Sequence, residues 1–176
     1  PETLLEKGRA VVQSSELKNE YEIRLKLSGD APKEGLAVED VSACPELTFE
    51  DNELNGIVTR GLLITTRGKV LVKNNRFKNT GMSAILLSDD AKSWFESGMC
   101  RNIKIEKNVF EFSGEVPILI KPENKVHESA VHKNITVKDN RFINCGRLCV
   151  KAFSADNITI EENSFSGELF KGKNCL

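Results

Sequence analysis

ITVKDNRF, residues 135–142, has four sister phrases in the same chain: LTFEDNEL (47–54), VLVKNNRF (70–77), IKIEKNVF (103–110) and ITIEENSF (158–165). Their shared asparagine falls at Asn52, Asn75, Asn108, Asn140 and Asn163, spaced 23, 33, 32 and 23 residues apart. A period between about 20 and 50 residues marks a solenoid, whose units bury an apolar face only by stacking on one another. These units are too short for a strand–helix–strand turn and carry no helical stripe. Each predicts one coil of a right-handed parallel β-helix, an all-β solenoid of about five coils preceded by a small antiparallel β piece.

Columns appear when the phrases are aligned on the asparagine. Five residues before it stand Leu47, Val70, Ile103, Ile135 and Ile158, and three before it Phe49, Val72, Ile105, Val137 and Ile160. Polar or solvent-tolerant residues separate them (Thr48, Lys104, Thr136, Thr159, with Leu71 in one coil), the period-two pattern of a strand with one buried face. Two after it come Leu54, Phe77, Phe110, Phe142 and Phe165. A third set, Leu62 and Ile64, Ile85 and Leu87, Ile118 and Ile120, Val150 and Ala152, follows ten and twelve residues on. Inward side chains then stack on their counterparts roughly 4.8 Å away along the axis. The asparagine itself reads as a corner residue tolerant of left-handed backbone, its amide bonding the coils above and below. It is a structural residue and not a metal ligand.

Residues 1–44 stand outside the repeat. RAVVQSS (9–15) and EYEIRLKLS (20–28) read as two strands, and SGDAPKEGLAVED (28–40) as a loop. This gives 1–44 as a fragment of a small β-subdomain and 45–176 as the parallel β-helix. The chain begins at Pro1 without an initiator Met or signal peptide, so it is expected to be a piece of a longer polypeptide. Net charge is −1, which gives no basic footprint for nucleic acid, and no apolar run approaches membrane-spanning length. Raw solenoid ends make self-association through the exposed β-helix ends an expected property. The five cysteines (Cys44, Cys100, Cys145, Cys149, Cys175) lack framework spacing and leave the compartment undecided. Cys145 and Cys149 read as small buried hydrophobes, with a zinc or redox pair as the alternative.

The two long repeats differ from the short ones at one place. Arg67 and Lys69 are one residue apart, as are Ala155 and Asn157, whereas the equivalent gaps run from Ala91 to Arg101 and from Asn124 to Lys133. Both insertions leave the same edge on adjacent coils, where a repeat array builds its binding surface. Alignment stacks Asp90 between Arg67 and Glu123 at roughly 5 Å per coil, and an extended chain turns Asp89 and Asp90 to opposite faces. Lys121 lies one coil further on, beneath the loop residues Trp94, Glu96, His127, Glu128 and His132. A basic neighbour lowers a carboxylate's pKa and a second carboxylate raises one of a pair, the divergence an acid/base pair needs. An aromatic ring beside carboxylates and a cation also suits a sugar. The plain alternative is an acidic turn with Trp94 and Phe95 packing the loop down and Arg67–Asp90 as a surface pair. His127 and His132 lack the spacing of a helical zinc motif and a third ligand, and nothing forces calcium at Asp89, Asp90 and Glu96, so no cofactor is implied.

RGLLITTRGKVLVKNNRFKNTGMSAILLSDDAKSWFESGMCRNIKIEKNVF (60–110), followed by ILIKPEN (118–124), resembles glycoside hydrolase family 110 and its β-helix relatives. The specific part is D-x-x-x-WFE-x-G after an AILL strand, and the likeness covers residues 45 to 165. It implies a secreted or periplasmic enzyme that removes terminal α-1,3-linked galactose with inversion and without metal, its partner an oligosaccharide or glycan. Asp89 and Asp90 match the region of the family's essential aspartates and become the catalytic candidates. Arg67, Trp94, Glu96, Lys121, Glu123, His127 and Glu128 are the substrate-binding candidates. Inversion needs carboxyl groups about 6.5–9.5 Å apart, and neighbouring coils are closer than that, so Asp90 with Glu123 fits only if the loop widens the gap. A further acid expected one coil upstream is replaced by Thr65 or Thr66. Three readings follow: a carbohydrate-active hydrolase or its C-terminal part, a non-catalytic β-helix module, and a lyase-like eliminase using Arg67 or Lys121 as base. Fold alone does not separate them.

Overall fold

In a computed structural model of the protein, residues 2–96, 98–127 and 129–167 are described. Strands β1 (Val12–Asn19) and β2 (Glu22–Leu27) form the expected antiparallel hairpin. The first coil carries β3 (Leu47–Glu50), β4 (Glu53–Asn55) and β5 (Leu62–Ile64), and the second β6 (Val70–Lys73), β7 (Arg76–Thr80) and β8 (Ile85–Leu87). The third has β9 (Arg101–Glu106), β10 (Val109–Ser113) and β11 (Ile118–Ile120), the fourth β12 (His132–Lys138), β13 (Arg141–Ile143) and β14 (Val150–Ala152). Strands β15 (Ala155–Glu161) and β16 (Ser164–Ser166) open a fifth. One sheet joins β3, β6, β9, β12 and β15, a second β4, β7, β10, β13 and β16, and a third β5, β8, β11 and β14. All neighbours within these sheets run parallel, so the predicted β-helix is the observed fold.

The columns hold residue for residue. Leu47 pairs with Val70, Val70 with Ile103, Ile103 with Ile135 and Ile135 with Ile158. Phe77, Phe110, Phe142 and Phe165 share one column of the second sheet. Their rings stack at 5.2, 5.0 and 5.3 Å between centroids, tilted by only 10–12°. Such pairs contribute about 0.5–1.5 kcal/mol each beyond the area they bury. Coil one has Leu54 there, and Phe77 instead meets Phe49 at 6.3 Å and 33°. Cys100, Cys145 and Cys149 are buried in the same core, the last two as expected. Ile160, by contrast, is 52% exposed where the described coils end.

The repeat asparagines form a ladder through the wall. The backbone N–H of Asn52, Asn75, Asn108 and Asn140 each donates to the next asparagine's Oδ1 at 2.9 Å. Each Nδ2 from Asn75 onward reaches back to a carbonyl of the preceding coil: Phe49, Val72, Ile105 and Val137. The amide ladder is as read from the sequence, but the left-handed residue is one position earlier. Asp51, Asn74, Lys107, Asp139 and Glu162 carry φ of 54° to 58°. The residue before the asparagine turns the corner, and that turn points the asparagine side chain inward. A second ladder, Asn102–Asn134–Asn157, lines another corner, again with positive φ.

Candidate functional site

Both insertions join the third sheet to the first. Since β8 pairs with β11 and β9 with β12, they leave one edge side by side. The ladder continues past the strands: Lys121 N–H donates to the Leu87 carbonyl and Glu123 N–H to that of Asp89. The chain is therefore still extended at Asp89, and Asp89 and Asp90 serve different partners.

Asp89 is 4% exposed, and its Oδ2 accepts from the Met99 N–H at 2.8 Å. Burial pushes its carboxyl up to about 6, and the neighbouring charge of Glu39 adds to the rise. Asp90 goes the other way. Its Oδ1 accepts from the N–H groups of Ser93 (2.8 Å) and Lys92 (2.9 Å), which hold its carboxyl below the usual range. With the Asp90 carbonyl accepting from Glu96 N–H, the residue closes a turn that lifts Trp94 (79% exposed) and Phe95 (77%, φ 54°) into solvent. Neither ring packs the loop onto the solenoid.

The expected stack of Asp90 between Arg67 and Glu123 is not formed. Asp90 turns into its own loop, where the Lys92 and Ser93 amides serve it. Arg67 donates through Nε to Glu39 and lies 3.4 Å from Glu6, both acids coming from the segments that flank the hairpin. Glu123 pairs with Lys121 at 3.0 Å on the exposed surface. The segment 2–6 also lies on the second insertion, with the Glu2 carbonyl accepting from Lys125 and Val126 N–H. Thr66, standing where an upstream acid was sought, donates from its hydroxyl to the Pro45 carbonyl at 2.7 Å.

The remaining candidates divide by exposure. Glu96 is half-buried at the foot of the turn, and His127 is exposed with Nδ1 2.8 Å from the Ser154 hydroxyl. His132 belongs to β12 and not to the loop. It is fully buried, its Nδ1 accepts from Cys100 N–H at 3.0 Å, and burial lowers its pKa to about 4. Glu128 lies outside the described residues. Among the described residues no three His, Cys, Asp or Glu side chains are grouped to hold a metal ion, and no helix is long and apolar enough to cross a membrane.

Sequence reasoning missed Glu6 and Glu39, because both lie outside the period that aligned everything else. Gly98 entered that reading only as the last residue of the D-x-x-x-WFE-x-G motif, without a role. A Cβ on Gly98 would fall 1.8 Å from the Asp89 carboxyl carbon, so only glycine lets the backbone close over that acid. Gly98→Ala is expected to push Asp89 off the Met99 amide and to cost about 1–3 kcal/mol, the usual penalty of overpacking. Chemical denaturation measures it, and an unchanged midpoint would refute the close approach.

Residues 60–172 match the family described as right handed beta helix region. The chain is 36% identical to alpha-1,3-galactosidase A of Bacteroides thetaiotaomicron over 168 residues, which is 92% of this chain and 30% of that protein. It is 38% identical to alpha-1,3-galactosidase A of Akkermansia muciniphila, covering 84% of this chain and 25% of the relative. Alpha-1,3-galactosidase B of Phocaeicola vulgatus is 34% identical, covering 74% and 24%. The resemblance read from residues 60–124 agrees with these relatives, of which the chain spans less than a third.

Proposed function

We propose, from the premise that the chain belongs to the right-handed β-helix family, that it is part of a glycoside hydrolase removing terminal α-linked galactose from a glycan. The observation that carries this reading is Asp89, a carboxyl that burial holds near 6 beside an exposed aromatic loop. An acid in that range keeps its proton up to about pH 6, well above an ordinary carboxyl, and gives it up as a bond breaks, which is the work of a general acid. In hydrolysis the glycosidic C–O bond breaks, the departing oxygen takes that proton, and water supplies the new hydroxyl at the anomeric carbon, releasing its other proton to solvent, from which Asp89 is reprotonated. Trp94 would lie against the apolar face of the sugar, and its removal weakens the hold on substrate without touching the chemistry.

The eliminase reading has less support, since Arg67 is engaged by Glu39 and Glu6 and Lys121 by Glu123. A second reading, a non-catalytic glycan-binding module, is favoured by Thr66. Its hydroxyl is tied to the Pro45 carbonyl at the position where a carboxylate was sought. Incubation of the protein with an α-1,3-linked galactose disaccharide separates the two. Hydrolysis predicts free galactose, with Trp94→Ala raising KM roughly 10-fold for a loss of about 1–2 kcal/mol of ring contact and leaving kcat near the parent value. Binding without release from any terminal α-galactoside identifies the module.

A further inference from the structure

The segment 39–45 is clipped to the solenoid at both ends. Asp40 accepts from the Ser42 N–H (2.9 Å) and hydroxyl (2.6 Å), fixing the turn, and the Pro45 carbonyl takes the Thr66 hydroxyl. This anchoring delivers Glu39 to the first insertion. Its Oε1 accepts from Gly98 N–H at 3.3 Å, and its Oε2 accepts from Arg67 Nε. The very next peptide nitrogen, Met99, donates to Asp89. Two consecutive amides thus serve two carboxylates from distant parts of the chain, and Arg67, whose charge acts on Asp89, is tied to the other one.

We propose that Glu39 is a positioning residue of the site, holding Arg67 and presenting its own charge to Asp89 so that Asp89 keeps its proton; this rests on Asp89 being the proton donor. The carboxylate absent from the Thr66 position is in effect supplied from outside the repeat. The charged and titratable groups that act on Asp89 are Glu39, Arg67 and its neighbour Asp90, with the buried thiol of Cys100 beside it. Glu39 and Asp90 favour the protonated form and Arg67 the ionised one. Neutralising Glu39 removes a negative charge and releases Arg67 toward Asp89, two changes of the same sign.

The test is a carbon-13 NMR titration of the Asp89 carboxyl in the whole chain. Glu39→Gln is expected to lower the midpoint by roughly 1 pH unit, the size of one nearby charge, while Glu39→Asp stays close to the parent. Arg67→Met is expected to raise the midpoint, an opposite shift that loosening of the fold would not give. It also decides the matter if Glu39→Gln does not fold. In a galactose-release assay the alkaline limb of kcat/KM should move with the titration in Glu39→Gln. A midpoint unmoved or raised in Glu39→Gln, or unmoved in Arg67→Met, overturns the proposal. Absence of galactose release overturns the hydrolase reading alone, because the titration needs no turnover.

Discussion

Asp89→Asn is expected to slow galactose release by a factor of about 10² to 10⁴, the usual contribution of a general acid, while leaving the fold more stable at neutral pH. The two effects have one origin. Asparagine has the same shape, and its oxygen can still accept from Met99 N–H, but it has no proton to give and no charge to desolvate. The folded carboxyl titrates at about 6 against an ordinary value of 3.8, so the folded state binds the proton more tightly than the unfolded chain. The stability gained from that proton is full below about pH 4 and is lost as the pH rises through 6. Above it the buried charge costs on the order of 3 kcal/mol. Urea unfolding of both forms at about pH 4 and about pH 8 checks this. The parent should lose stability relative to Asp89→Asn as pH rises, and parallel behaviour would show that Asp89 is not held protonated by its surroundings. A residue with only a packing role would give no gain on amidation.

Whatever repeats was legible, because a solenoid repeats its physics. The five asparagines fixed the coil boundaries, and the alternation around each named the inward residues, down to the partner of every phenylalanine in the column. The shared edge of the two insertions followed from the same alignment. What escaped was aperiodic. Alignment placed Arg67, Asp90 and Glu123 in one column, but side-chain direction beyond a strand end depends on local donors. The Lys92 and Ser93 amides took Asp90 before a guanidinium could. Glu6 and Glu39 sit in two segments, one on each side of the hairpin, with no pattern to align, so only a gap pointed to them: the unmet expectation of an acid near Thr66. His132 looked like loop because its insertion has no period, although strand β12 begins there. The left-handed corner was misplaced by one residue for a related reason. Asparagine tolerates that conformation, whereas Lys107 and Glu162 are held in it by the turns of their neighbours.

Asn108→Ala is the substitution expected to cost most in stability. Asn108 is fully buried mid-ladder. Its Oδ1 receives both the N–H and Nδ2 of Asn75, and its Nδ2 serves the carbonyls of Val72 and Glu106 and the Oδ1 of Asn140. Alanine strips a buried N–H and a buried carbonyl of side-chain partners at once, at about 1–3 kcal/mol each, and leaves space in a packed wall. A loss on the order of 4 kcal/mol is a large share of the roughly 5–15 kcal/mol that holds a domain together. It falls where a solenoid is most sensitive, since each coil is stable only against its neighbours. The ladder is directional, each Oδ1 accepting from the coil before, and this supplies the control. Asn52 is the exposed donating end, its Nδ2 reaching Glu50 and Asn75, so Asn52→Ala should cost under about 1 kcal/mol. Equal losses in the two variants, measured by urea midpoint, would mean that the asparagines act as isolated turn residues and that the coils are held in register by apolar stacking alone.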